Sequence, residues 1–388
     1  MSEDNNIFST FDQYLRQGEP QKREKADIWR TAIGLQQVDG LTPSDFLLQK
    51  AQENIEGTIT IDDVTRQVRT YYFSKTSHDA DDRDKEEADR VSANIAKILS
   101  SRTFSFNTNG YVSTHRRVFE GVFKHAGKIR DYDISKKEWV LDGDSVSYLN
   151  WEDLRHALDY DIEQEKNYSY NGLSTDSMIA HIAKFTSGLW QIHAFCEGNT
   201  RTTAVFLIQY LRSIGFNVNN DMFARHSWYF RNALVRANYK NVQKGIDYTP
   251  IYLERFFRNL LLGDGWDLRN RYLHISPPEE WKNQPNLKTS DQTNPTSTRQ
   301  VPDKLVTSNQ NIIALVRIIG NSEIKVKEMM DALGLKNRES FINVYLSPAM
   351  TEGFVRMLYP DTPRSPKQRY LLTVKGCALY NTINNNKV

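Results

Sequence analysis

The stretch "HAFCEGNTRTTAVF", residues 193–206, sets a histidine, a glutamate, a Gly-Asn pair and an arginine within nine residues, and an apolar run follows at once. Gly198-Asn199 reads as a turn. Behind it, Val205, Ile208, Leu211 and Ile214 recur at helical spacing until Gly215 stops them. Ahead of it, Ile179, Ile182, Phe185, Leu189 and Ile192 share one helical face, with Ser174 as N-cap. The stretch is therefore a sharp loop between two apolar helices, and the fold class around it is mainly α.

A turn placed there leaves the backbone N–H groups of Asn199, Thr200, Arg201 and Thr202 pointing outward, at the positive end of a helix, which is a ready anion site. Arg201 adds a planar guanidinium suited to phosphate. Glu197 can hold a magnesium ion that bridges phosphate oxygens. His193 ends the preceding helix on the same side, where it can take a proton from an attacking hydroxyl. Each group alone has an ordinary structural reading; together in one loop they suit phosphoryl or nucleotidyl transfer. Zinc on His193 and Glu197 is disfavoured, because His181 lies too far back along the helix to complete a site.

Outward from the loop, residues 95–272 read as one helical block that includes "SWYFRNALVRANY" and "IYLERFFRNLLLG". One segment breaks the pattern. In "KKEWVLDGDSVSYLN", Asp142-Gly143 sits between strand-prone residues, a hairpin signal. Residues 1–94 read as an N-terminal helical segment, and "DIWRTAIGLQQVDG" reads as a helix stopped by Gly40. Residues 273–304, rich in Pro, Asn, Ser, Thr and Gln, read as a linker. Residues 305–388 read as three short helices, then a strand, a Pro-rich loop and a strand, which is the winged-helix order; Arg364, Lys367 and Arg369 of the loop suit phosphate contacts.

The net charge is only +2, but residues 301–388 hold 12 basic and 7 acidic residues, so the excess of positive charge lies in this last module. Cys196 and Cys377 form no framework, and neither a membrane span nor a signal pattern is found, so a reducing cytoplasm is the expected compartment and no membrane partner is expected.

"HAFCEGNTR" resembles the signature of the Fic (filamentation induced by cAMP) family, H-x-F-x-(D/E)-G-N-G-R-x-x-R, at His193, Phe195, Glu197, Gly198, Asn199 and Arg201. The resemblance implies a helical Fic core with a β-hairpin flap, and a protein adenylyltransferase that moves AMP from ATP, with Mg2+, onto a Tyr, Thr or Ser hydroxyl of a target protein. By that likeness His193 is the general base, Phe195 anchors the loop, and Glu197 binds the metal. Gly198, Asn199, Thr200 and Arg201 hold the phosphates. Tyr229 and Asn238 neighbour the nucleobase, and Ser145, Val146, Ser147 and Tyr148 form the flap edge that aligns the target.

Two positions depart from the signature: Thr200 stands for a glycine, and Ala204 for the second arginine, which in the family helps hold the γ-phosphate and pairs with an inhibitory glutamate. Asp39-Gly40 is a degenerate match to the inhibitory motif, with Glu56-Gly57 a second candidate. With Ala204 opposite, Asp39 is expected to block weakly, through a backbone N–H of the turn at 200–203. The alternative function is a DNA-binding regulator whose Fic block senses nucleotide or is an inactive scaffold. DNA would then be the partner of the winged helix; the oligomeric state is not set by the sequence.

Overall fold

The computed structural model describes residues 11–16, 19–74, 80–101, 103–170, 173–216, 218, 221–277, 307–359, 363 and 365–385. The chain is mainly helical, as the apolar spacing predicts. After a helical stretch at residues 11–16 come α1 (Pro20–Gly34), α2 (Asp45–Glu56), α3 (Ile61–Phe73) and α4 (Ala80–Ser100). Between α1 and α2 the chain tightens into a 3-10 turn, Leu35–Asp39, which Gly40 ends at φ 72°. This is the conformation that a residue without Cβ adopts at no cost. The turn is buried at Leu35, Gln36 and Val38, so it is pinned, and Asp39 is carried at its tip.

Helices α5 (Thr108–Val118), α6 (Leu154–Lys166), α7 (Thr175–Ile192), α8 (Asn199–Ser213), α9 (Met222–Ala237) and α10 (Ile251–Phe257) follow. Ser174 caps α7 by accepting from the Ser177 N–H, as its position predicts. Every residue of α8 from Asn199 to Leu211 is buried. A helix buried on all sides lies at the centre of its domain, so its first turn is fixed from every direction. The hydrophobic core runs without a break from Phe11 through Leu273, so the N-terminal helices and the block around α8 share one interior.

The segment expected to be a hairpin flap reverses as predicted at Asp142 (φ 56°) and Gly143 (φ 84°), and the Glu138 N–H donates to Asp144 O at 2.9 Å. It carries a 3-10 turn, Trp139–Leu141, rather than paired strands. Its polar groups are satisfied by neighbours instead: Tyr239 donates to Asp144 at 2.7 Å, and Ile275 N–H donates to Val140 O at 2.9 Å. Residues 273–277, placed by the sequence at the start of the linker, thus pack beneath the flap turn; residues 278–306 of that linker lie outside the described residues.

The C-terminal module follows the predicted order. Helices α11 (Gln310–Ile319) and α12 (Val326–Ala332) precede α13 (Arg338–Phe341), which continues through a π turn (Ile342–Leu346) into α14 (Ser347–Thr351). Strands β1 (Val355–Met357) and β2 (Tyr370–Leu372) pair antiparallel, with Val355 opposite Leu372, and Ile324 adds a bridge to Tyr370. Of the loop's basic residues, Arg364 lies outside the described residues and Arg369 donates to Glu323 O at 3.2 Å. A last helix, α15 (Val374–Asn385), has no counterpart in the sequence reading.

The module has its own small core, yet it is not a loose appendage. Val374 and Ala378 of α15 belong to the main core, and Asn381 donates to Leu173 O at 2.6 Å. At Gly215 the two backbones meet so closely that an added Cβ would lie 2.5 Å from Gly353 O. The last helix therefore docks the module on the helical core.

Candidate active site

The loop between α7 and α8 is held by its own sequence. His193 caps α7 at φ 51°, a conformation uncommon outside glycine. Arg130, buried, compensates: its Nε–H donates to His193 O at 2.8 Å, its Nη1 to Tyr132 O at 2.6 Å, and its backbone N–H to Ala194 O at 2.9 Å. Phe195, fully buried, stacks on His115 with ring centres 3.8 Å apart. The His115 ring also reaches Glu197 O at 3.1 Å and accepts from the Gly127 N–H at 2.8 Å. Burial pushes its pKa down to about 4, so the ring is neutral and its tautomer is fixed.

Asn199 does not present its side chain to the open site. Its Oδ1 accepts from the Phe195 N–H at 2.9 Å and its Nδ2 donates to Phe195 O at 2.6 Å, closing the loop like a clasp. Gly198 takes φ 75°, and a Cβ there would strike the Phe119 ring at 2.1 Å, so only glycine fits. Thr200 carries no backbone strain, because the positive φ values fall on His193 and Gly198. Its hydroxyl accepts from Trp190 Nε1 at 2.9 Å, locking the first turn of α8 to α7. Gly198 offers no capping side chain, and Thr202 N–H is already turned to Gly198 O at 3.0 Å, so the anion-binding end of α8 consists of the N–H groups before it.

His193 is buried, and neither ring nitrogen has a hydrogen-bond partner among the described residues. Burial, then the charges of Lys136, Arg130 and Arg231, hold its pKa well below the ordinary value. Tyr148 of the flap covers the ring at 4.1 Å. Glu197 is half exposed and paired with Lys136 at 3.0 Å. Around these groups lies a cavity of about 20 Å³, walled by Asp39, Lys136, Trp190, His193, Arg231 and residues 197–200. That is room for about one water and not for a phosphate.

Arg201 is where the structure departs most from the expectation. Asp39 does not reach the helix end through a backbone N–H. It pairs with Arg201 at 2.8 Å, while Glu87 of α4 takes a second face at 2.7 Å and Gln36 accepts from Nη1 at 3.0 Å. The Phe119 ring covers the guanidinium at 4.8 Å. The polar partners of this cation thus come from the N-terminal segment, Gln36, Asp39 and Glu87.

Tyr229 and Asn238 lie elsewhere. Tyr229 is buried with its hydroxyl donating to Tyr252 O at 3.2 Å. Asn238 ties the end of α9 to Ser187 at 3.1 Å and lines a separate cavity of about 760 Å³ beside α7. Of the flap edge, Val146 is buried, Ser145 accepts from the Lys136 N–H at 3.3 Å, and Ser147 O accepts from Gln191 at 3.1 Å. Sequence reasoning missed Trp190, three residues before His193, and Lys136, Arg231, Gln36 and Glu87, which are remote from the loop in the chain. Among the described residues no group of three or more His, Cys, Asp or Glu gathers as a metal site, and no helix is long and apolar enough to cross a membrane.

Residues 105–211 match the Fic/DOC family, and residues 310–373 match the C-terminal domain of Fic-like (filamentation induced by cAMP) proteins. Protein adenylyltransferase VbhT of Bartonella schoenbuchensis is 24% identical over 206 residues, which are 51% of this chain and 41% of that protein, so the chain spans less than half of that relative's length. A Fic family protein from Desulfovibrio desulfuricans G20 is 18% identical with a TM-score of 0.42 over 96% of this chain and 97% of that one. The N-terminal Fic domain of a Bartonella effector protein, from Bartonella sp. AR 15-3, is 20% identical with a TM-score of 0.36 over 45% and 82%. The signature loop at 193–201 thus lies within a region that matches the Fic/DOC family, and a region that matches the C-terminal domain of Fic-like proteins follows it.

Proposed function

We propose that the protein transfers AMP from ATP to a hydroxyl side chain of a target protein, from a resting state that its own N-terminal turn holds closed. The observation that carries this is His193: a neutral imidazole with both nitrogens unpartnered, set against the bare amide end of α8. A neutral ring with no partner is free to take a proton. His193 removes the proton of the incoming hydroxyl, the oxygen bonds to the α-phosphorus, and the bond from that phosphorus to the bridging oxygen breaks as pyrophosphate leaves. The N–H groups of Asn199, Thr200 and Arg201 face the charge that builds on the phosphate. Asn199, Gly198, Phe195 and Arg130 keep those groups in register.

Glu197 fits magnesium in one respect, since this ion commonly takes one or two carboxylates together with nucleotide phosphates. Lys136, now its partner, would have to release it. The ion would supply charge neutralisation across the phosphates; Glu197 would orient it. Target alignment falls to residues 145–148, with Tyr148 closing the histidine from above. Asn238 is a nucleobase neighbour through the 760 Å³ cavity it lines; Tyr229 does not line that cavity.

The same reading makes Asp39 the regulatory residue: ATP cannot enter until the 3-10 turn withdraws. For the C-terminal module we propose a winged helix that contacts DNA through Lys367 and its neighbours, supported by the element order and the basic excess. Salt-dependent retardation of duplex DNA by the full chain tests that part. Protein-bound label from α-labelled ATP, dependent on His193, tests the transferase.

A further inference from the structure

The signature's second arginine is absent, and Ala204 in its place is fully buried in the core, so no cation can reach the phosphates from that position. We propose that Arg231 of α9 takes its place and binds the terminal phosphates of the nucleotide. The proposal rests on the transferase reading and deepens it.

Arg231 walls the same cavity as His193, Glu197, Thr200 and Asp39, although it comes from a helix far along the chain. Its guanidinium is held on two sides. Glu138 of the flap pairs with it at 2.8 Å and accepts again at 3.2 Å, and the Trp228 ring lies 5.3 Å below. A two-point carboxylate pair uses only part of the five N–H donors, so the remainder stays available to an anion. Its charge is felt inside the site, being one of the three that depress the His193 pKa. The cavity's anionic place is now filled by the chain's own Asp39 carboxylate. When the polyphosphate displaces Asp39, it enters beside Arg231. The glutamate pair also anchors this cation against the flap.

Binding of ATP, ADP and AMP to the full-length Asp39→Gly chain is compared with and without Arg231→Gln, by titration calorimetry. Loss of the arginine is expected to weaken ATP at least tenfold, ADP less, and AMP hardly at all; Arg231→Lys, which keeps the charge, recovers part of the loss. Glu138→Gln is the control for flap damage and should leave the ATP-to-AMP ratio near that of the parent. An unchanged ratio in Arg231→Gln, or the same fall for all three nucleotides, overturns the assignment. An equal change of the ratio in Glu138→Gln also overturns it, because the effect then comes from the flap. If Asp39→Gly with Arg231 intact binds no ATP, the transferase reading itself fails and this assignment falls with it.

Discussion

Asp39 Oδ2 and Arg201 Nε lie 2.8 Å apart, joining the tip of the N-terminal turn to the helix that carries the site. Arg201 is almost wholly buried, and Glu87 takes its other face at 2.7 Å. Two carboxylates therefore neutralise one buried cation, the one proposed to bind phosphate. Asp39→Gly removes one of them and the steric plug, and should tighten ATP about tenfold, equivalent to ~1.4 kcal/mol. Adding Glu87→Gln should tighten it further. The double variant leaves a buried charge short of partners, which costs about 3 kcal/mol. Its melting temperature should fall, and saturating ATP should restore most of the loss; thermal shift with and without nucleotide measures both.

The depressed pKa of His193 has a direct kinetic signature. A general base acts when unprotonated, so in the Asp39→Gly chain the rate should stay level from pH 8 down past 6.5 and drop only below it. A midpoint at 6.5 or above in the pH–rate profile would mean that the acting group is not this buried imidazole.

How much of this could be read beforehand follows from chain distance. His193, Glu197, Gly198, Asn199 and Arg201 stood out because the chemistry is packed into one loop, and the helix pattern on either side gave the fold class. Asp39 stood out through Asp39-Gly40, a degenerate match to the inhibitory motif. Its true partner did not, because Asp39 and Arg201 are joined only by the tertiary packing of the N-terminal helices. Lys136 and Arg231 look like ordinary solvated charges until the flap and α9 converge. Asn199 showed its residue type but not its work, since a side-chain amide can clasp a loop as well as bind phosphate. Val374 and Ala378 gave no sign that their partners lie in the other module.

Those two residues make truncation informative. Removing everything after residue 305 uncovers the surface that α15 covers and the backbone face at Gly215. The truncated chain should melt several degrees lower than the full chain, consistent with a loss of ~2 kcal/mol of apolar burial. Equal melting temperatures in differential scanning calorimetry would show that the docking contributes nothing.

His115 should govern part of the acid stability. Its pKa is about 4 in the fold against about 6.5 unfolded, so below 6.5 the unfolded chain binds the extra proton and stability falls as pH drops. The full contribution is present above pH 6.5 and is lost progressively toward pH 4, amounting to about 3 kcal/mol. The urea midpoint of the wild type should decline over that window, and His115→Asn, though less stable at pH 7, should decline less. Parallel slopes for the two proteins would contradict the neutral, buried ring.

The central claim is AMP transfer with His193 as base, and the most direct measurement is label transfer. The full-length Asp39→Gly chain is incubated with magnesium, cell lysate and ATP labelled on either the α- or the γ-phosphate, beside the same chain carrying His193→Ala. The account predicts protein-bound label from the α-phosphate alone, and its loss with His193→Ala while ATP binding persists. Label arriving from the γ-phosphate, α-label that survives without His193, or no label from a chain that binds ATP would contradict it.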